Sequence, residues 1–290
     1  MRSPFAYKPS RGPLQSASPG AAVAYLGAIV VVAFLYLNPL VLLAAGAAAT
    51  LAGILAGART AVRAALKMGL SLALLIALVN ALVTSRGETV VARLGDWPLF
   101  GRVDVTLEAI VAGVSYGLLA AATIVAFAVY SACVDPDRVL RSLRPLAGRS
   151  ALTATLVSRL VPVAAADAVR LRDAAALRGP AAAPVGKAPL ARRLLAGSLD
   201  RAVDVAATLE LRGYSLDAPR ARNRRGRSRY DRRFYAVAAI VLIAAIAGKL
   251  LGADDFQAYP TVSIGFGPAT LAVAAVVTAS GLAPVRVARV

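Results

Sequence analysis

Ala21-Ala-Val-Ala-Tyr-Leu-Gly-Ala-Ile-Val-Val-Val-Ala-Phe-Leu-Tyr-Leu37 carries no charge, and Asn38-Pro39 closes it before a second apolar run, Leu40–Gly57. A helix needs about 20 apolar residues to cross a bilayer, with about 17–25 as the working range. The two runs together are too long for one crossing, and Asn-Pro is a turn signal. The stretch therefore predicts two membrane helices joined by a tight hairpin. Four more apolar runs follow at about Met68–Thr84, Val105–Cys133, Phe234–Leu251 and Gly267–Leu282. The fourth span, Val105–Cys133, is long, and its excess is taken up by tilt or by protrusion from the bilayer. The expected fold class is all-α: a polytopic membrane protein with about six transmembrane helices and a helical cytosolic insert.

Composition agrees. Of 290 residues 59 % are hydrophobic, well above the roughly 45–50 % of soluble domains, and mean hydropathy is +0.69. One Cys (Cys133) excludes a disulfide within the chain,. The absence of His removes the commonest general base and zinc ligand,. Cys133, at the end of a span, reads as a small buried apolar residue. Small residues crowd the spans, as in Ala44-Ala-Gly-Ala-Ala-Ala49 and Ala120-Ala-Ala122. They let helix backbones approach closely in lipid. The few ionisable residues at span ends, Glu108 and Lys249, read as snorkelling side chains.

Charge divides the chain into four parts. Residues 1–20 are polar and Pro/Ser/Gly-rich and read as a disordered cytosolic tail; 21–133 hold spans one to four; 134–233 form a polar insert; 234–290 hold the last two spans and a short tail. The insert has 21 Lys/Arg against nine Asp/Glu, a net of +12. Segment 85–104, which contains Trp97-Pro-Leu-Phe100, balances three bases with three acids, and the turn before the last span holds Asp254-Asp255. The positive-inside rule then places both termini and the insert in the cytosol, with 85–104 and 252–266 outside. The expected location is the plasma membrane, with multiple passes.

Within the insert two predicted helices end alike: Asp173-Ala-Ala-Ala-Leu-Arg-Gly179 and Ala207-Thr-Leu-Glu-Leu-Arg-Gly213. Gly is favoured just past a helix C-terminus because it enters the left-handed conformation without steric cost. An Arg in the last turn points its fork off the tip, where a carboxylate can take two parallel bonds. An ordinary C-cap with a dipole-favoured Arg is the blander account of either motif alone. Two copies in one insert favour a docking role. Val157, Val161, Ala164, Ala168, Leu171 and Ala175 form an apolar stripe on the first helix; Leu195, Leu199, Ala202, Val203, Ala206 and Leu209 form one on the second. Pro162 is expected early in the first helix, kinking it or marking its start. Gly186-Lys187 lacks the remaining residues of a phosphate loop.

These pieces resemble the transmembrane T component of energy-coupling factor (ECF) transporters, the CbiQ-like family. Asp135-Pro-Asp-Arg-Val-Leu-Arg-Ser-Leu143, Ser158-Arg-Leu-Val-Pro162, Leu177-Arg-Gly179, Leu211-Arg-Gly-Tyr214, and Leu99-Phe100 through Val105-Thr-Leu-Glu108 carry the likeness, over roughly Leu99–Asp231. The resemblance implies a non-enzymatic scaffold of an ABC importer for a vitamin or metal ion such as cobalt. Its partners are two ABC-type ATPase subunits, which bind the ATP, and a membrane substrate-binding S component; the chain itself holds no cofactor or metal. Leu177, Arg178, Gly179, Leu211, Arg212 and Gly213 are then the residues that seat in the ATPases, with Arg159 and Pro162 supporting the helices. Both signatures carry Leu where the family usually has Ala.

The basic run 220–233 has eight Arg and one Asp beside a span. It abuts Phe234 and reads as an anchor for anionic lipid rather than a nucleic-acid site, since beyond Tyr230 it has no aromatic or helical readout pattern. The competing function class is a membrane-bound lipid-modifying enzyme. That class requires clustered carboxylates near the membrane, and the close pairs are Asp135/Asp137 and Asp254/Asp255.

Overall fold

Asn38-Pro39 joins helix α2 (Pro19–Leu35) to α3 (Pro39–Leu55): the Asn38 side chain accepts from Leu40 N at 3.0 Å while Pro39 occupies the first helical position. Proline there costs nothing, because that N–H has no intrahelical partner. This computed structural model describes residues 7, 9, 12–84, 87–97, 101–147, 149–177, 186–211, 228–253, 256–259, 261–263 and 267–285. Side chains are described except at 94–97, 101–103, 141, 143–147 and 149–155. The remaining helices are α1 (Pro13–Ser16), α4 (Arg59–Val83), α5 (Leu107–Cys133), α6 (Pro136–Ala147), α7 (Arg149–Ala176), α8 (Lys187–Leu211), α9 (Asp231–Leu250) and α10 (Pro268–Ser280). Strands β1 (Val90–Trp97) and β2 (Gly101–Thr106) lie between α4 and α5.

The chain divides into two compact units, residues 1–139 with 227–290, and residues 140–226. The first unit is the membrane part. Helices α4, α5 and α9 are long and apolar enough to cross a bilayer, and α2, α3 and α10 are shorter apolar helices. All six contain the apolar runs or most of them, α4 starting earlier, at Arg59, than the run from Met68, so the chain is, among the described residues, an all-helical polytopic membrane protein apart from the β1–β2 hairpin. Its core lies where α2, α3 and α5 meet, with α4 along α5, α9 along α2, and α10 against α3 and α9. Ala44, Ala45, Ala48, Ala49 and Ala52 give α3 a buried face of methyl groups. The α4–α5 seam is closer still. A Cβ on Gly117 would sit 2.8 Å from Ala73 O, and one on Gly113 would sit 2.9 Å from Ala77 Cα. These glycines stand four apart, the spacing that lets membrane helices approach backbone to backbone. The outward side of α4 (Leu70, Leu74, Leu78) is exposed, as expected of a helix that faces lipid.

Several sequence expectations change here. Segment 85–104, expected only as an external connection in an all-α chain, contains β1 and most of β2, an antiparallel hairpin whose register sets Arg93 opposite Asp104 and Asp96 opposite Arg102. Two of the three bases thus have an acid as cross-strand neighbour,. Glu108 does not snorkel. It is buried at the start of α5, where Oε1 accepts from Thr89 N at 3.1 Å, and Leu107 N donates to Thr89 O at 3.0 Å. Gly87 adopts φ +148 beside it, and a Cβ there would collide with Glu108 Oε2. Lys249 donates to Leu35 O at 3.0 Å, capping the end of α2, and stands 5.7 Å from the Tyr36 ring centroid. The polar tail is already helical from Pro13, with Leu14 buried. Cys133 is buried, as read. Asp254-Asp255 lies outside the described residues.

Candidate functional site

The second unit is built on α7 and α8. Asp167 of α7 accepts through Oδ2 from Arg201 Nη2 of α8 at 2.8 Å, and its Oδ1 is 3.4 Å from Arg170 Nη1. Around this ion pair Ala164, Ala168, Leu171 and Ala175 are half-buried, so the latter part of the α7 stripe is covered while Val157 and Val161 are exposed. On α8 the covered series is Leu190, Leu194, Ser198, Arg201, Val205 and Leu209. The stripe expected from hydropathy therefore points the other way: Leu195, Leu199, Ala202, Val203 and Ala206 are exposed, and Leu209 alone of that set is half-buried. Two polar residues can occupy the covered face because each is satisfied there. Ser198 Oγ donates to Leu194 O at 2.8 Å, and Arg201 has Asp167. A hydropathy pattern discards both residues; a charge search for Asp and Arg on two neighbouring helices would have retained them.

The tips stand apart from this seam. Leu177 N donates to Asp173 O at 3.0 Å as α7 ends, and Leu211 closes α8. The two leucines are 87 % and 88 % exposed, the most exposed large apolar side chains among the described residues. Each lies ten residues beyond its member of the ion pair (177 − 167 and 211 − 201). Arg178, Gly179, Arg212 and Gly213 lie outside the described residues. Arg159 is exposed on α7. Pro162 is in the interior of α7, thirteen residues after Arg149 and fourteen before Ala176, not near its start. The helix begins well ahead of the apolar stripe, and Pro162 cannot donate to the carbonyl four residues back.

Elsewhere the polar groups of the first unit serve structure. Asp135 Oδ1 accepts from Asp137 N at 2.9 Å and its Oδ2 is 3.9 Å from Arg138 Nε, so this carboxylate opens α6. Of the basic run, 220–227 lies outside the described residues. Arg233 is committed to Val285 O at 2.8 Å and Leu282 O at 3.4 Å, and Arg229 stacks 4.8 Å from the Tyr230 ring centroid. A groove of about 660 Å³ between α3 and α10, lined by Leu43, Ala47, Leu271 and Ala275, contains Thr278 as its polar residue. Thr278 Oγ1 donates to Ala274 O in its own helix. Among the described residues no group of three or more Asp, Glu or Cys is placed to hold a metal ion.

A family model described as CbiQ, cobalt transport protein, matches residues 10–222, which is 213 of the 290 residues and runs from just before α1 to beyond α8. No curated protein matches the chain.

Proposed function

The chain belongs to the CbiQ family of cobalt transport proteins, and from that premise we propose that it is the T component of an ECF-type ABC importer. In this reading it catalyses no reaction and holds no cofactor. ATP is bound and hydrolysed by two ABC-type ATPase subunits on the cytosolic side of the plasma membrane. The second unit carries their movement to the membrane helices and to a substrate-binding S component that takes up cobalt or a vitamin. Both termini and the insert face the cytosol, and the basic run 220–233 adds contact with anionic lipid.

The observation that carries this proposal is the pair of helix tips. A leucine that is almost fully exposed has gained nothing from burial, and burying one is worth about 1.5–3 kcal/mol. Two of them end α7 and α8, each followed in sequence by Arg-Gly. A leucine to insert and a guanidinium to pair with a carboxylate make a compact plug for an acidic groove. The exposed Leu195, Leu199 and Val203 extend the apolar surface of the same unit. Asp135 is taken up in opening α6, which weakens the lipid-enzyme reading.

Co-purification tests it. The solubilised full chain should retain both ATPase subunits. Arg178→Ala with Arg212→Ala should release them, because truncating one partner of a desolvated charge pair costs about 2–5 kcal/mol. Undiminished recovery of the ATPases with the double variant would defeat the docking role.

A further inference from the structure

The first unit hands its chain to the second after Val139 and receives it again at Arg227. Residues beside both crossing points are bonded to one short segment, Gly12–Ser18. On the outgoing side Arg138 Nη1 donates to Gln15 O at 3.1 Å. On the returning side Asp231 accepts through Oδ1 from Ser18 N at 2.7 Å and through Oδ2 from Ser228 N at 3.1 Å. The segment is also fixed to the bundle. Leu14 is buried, and Gln15 Nε2 donates to Ala56 O at the end of α3 at 2.6 Å and lies 3.6 Å from Cys133 Sγ at the end of α5. Ser18 caps α2 by accepting from Ala21 N. Pro13 and Pro19 stiffen the segment at either end, since their rings fix φ.

This arrangement bridges a break. Helix α5 ends at Cys133 and α6 begins at Pro136, so Val134 and Asp135 join them, with Val134 extended at φ −101, ψ 127. Two non-helical residues can absorb a rotation of α6 without passing it to α5. Gln15 touches both sides of that joint, Cys133 before it and Arg138 after it. Asp231 is part of α9 itself, so its bond to Ser18 ties the returning chain to the head of α2.

We propose that Gly12–Ser18 is a transmission strap, through which displacement of the insert at Arg138 and Asp231 reaches α2 and α3. The inference rests on the coupling function proposed above. Arg138 and Asp231 are positioning residues: they contact neither ATP nor substrate, and they keep the motion of the insert from being lost at the Val134–Asp135 joint.

The test uses the full chain bound to its ATPase subunits in lipid nanodiscs, with an environment-sensitive fluorophore on one introduced cysteine at a time. The sites are Leu195 in the insert, Phe34 on α2 and Leu55 on α3, all exposed. Cys133 is buried and stays in place. In the wild-type chain ATP changes the signal at all three sites. In Arg138→Ala with Asp231→Ala the ATPases remain bound and the Leu195 response persists, while the Phe34 and Leu55 responses fall by about fivefold or more, the low end of usual coupling strengths. Arg138→Lys with Asp231→Asn keeps one donor and one acceptor and restores most of both responses. Arg138→Ala alone, at a half-exposed side chain, is the variant whose folding is least at risk and gives a partial loss. Unchanged Phe34 and Leu55 responses in the double Ala variant overturn the strap while leaving the coupling function intact. Loss of the Leu195 response as well overturns it too, because the two side chains then shape the insert. A wild-type chain that binds no ATPase overturns both.

Discussion

Reversing the charge at Arg201 should pull α7 and α8 apart and displace both tips. The Arg201–Asp167 pair is 2.8 Å long, with side chains 37 % and 23 % exposed. Such a partly solvated pair contributes about 0.2–1 kcal/mol, and Asp167 keeps Arg170 at 3.4 Å when Arg201 is removed. Arg201→Ala should therefore leave the two helices in place. Arg201→Glu sets carboxylate against carboxylate, which at about 4 Å and an effective dielectric of about 20 costs about 4 kcal/mol before the groups swing apart and solvent screens them. Each tip lies ten residues beyond the pair, a lever of about 15 Å at 1.5 Å per residue, so about 10° of rotation moves it by about 3 Å. Spin labels on cysteines at Leu177 and Leu211, both highly exposed positions, report the tip-to-tip distance in the solubilised full chain. Arg201→Ala should reproduce the wild-type distribution, whereas Arg201→Glu should shift and broaden it by several ångströms. The swap Asp167→Arg with Arg201→Asp should recover it in part, since Arg170 then faces a like charge. An unaltered distribution in Arg201→Glu would refute the close apposition of positions 167 and 201 across the α7–α8 seam.

Gly117→Ala should cost about 1–3 kcal/mol, because its Cβ would meet Ala73 O at 2.8 Å. Gly27→Ala, with no atom within 4 Å of the new Cβ, should be neutral or stabilise by up to about 1 kcal/mol; equal thermal shifts for the two in detergent would contradict the close α4–α5 seam. Glu108→Ala removes the acceptor of the Thr89 N–H and should speed its hydrogen exchange, with Glu108→Gln milder; unchanged exchange would count against Glu108 as the hairpin's tether. Single cysteines at Ser85 and Ser150, with Cys133→Ser, should react with an impermeant thiol reagent in intact cells at Ser85 alone, and the reverse pattern would invert the topology.

Much of this fold can be read from hydropathy, because each membrane helix must satisfy its own backbone and so needs a long uninterrupted apolar run. Asn38-Pro39 announces its turn through residues that act locally, a side-chain cap and a proline at the first helical position. The hairpin does not, since irregularities between Val90 and Ala92 and between Arg93 and Asp96 break the alternation that marks a strand,. The α8 seam was hidden for a different reason. Ser198 and Arg201 occupy its covered face by virtue of partners, one of them on another helix, and a one-dimensional apolar pattern cannot see a partner. Glu108 and Gln15 follow the same logic: polar side chains are buried where a backbone group from elsewhere in the chain waits for them. The Leu-Arg-Gly repeats belong to the sequence; of their residues the structure describes Leu177 and Leu211 and adds their exposure.

Coupling of ATP hydrolysis to uptake through the two tips is tested most directly by substrate uptake in cells whose chain carries Arg178→Ala with Arg212→Ala. Uptake of radioactive cobalt and of labelled vitamins is followed, normalised to the amount of chain in the membrane. Insertion and expression should stay near wild type, because Ala has the highest helix propensity of all residues and Arg is close to it. Each single Ala variant should weaken uptake and the double variant should abolish it. Arg178→Lys with Arg212→Lys should restore a part, since an ammonium cannot form the bidentate fork. Wild-type uptake by the double Ala variant would reduce both signatures to plain helix ends and contradict the coupling account.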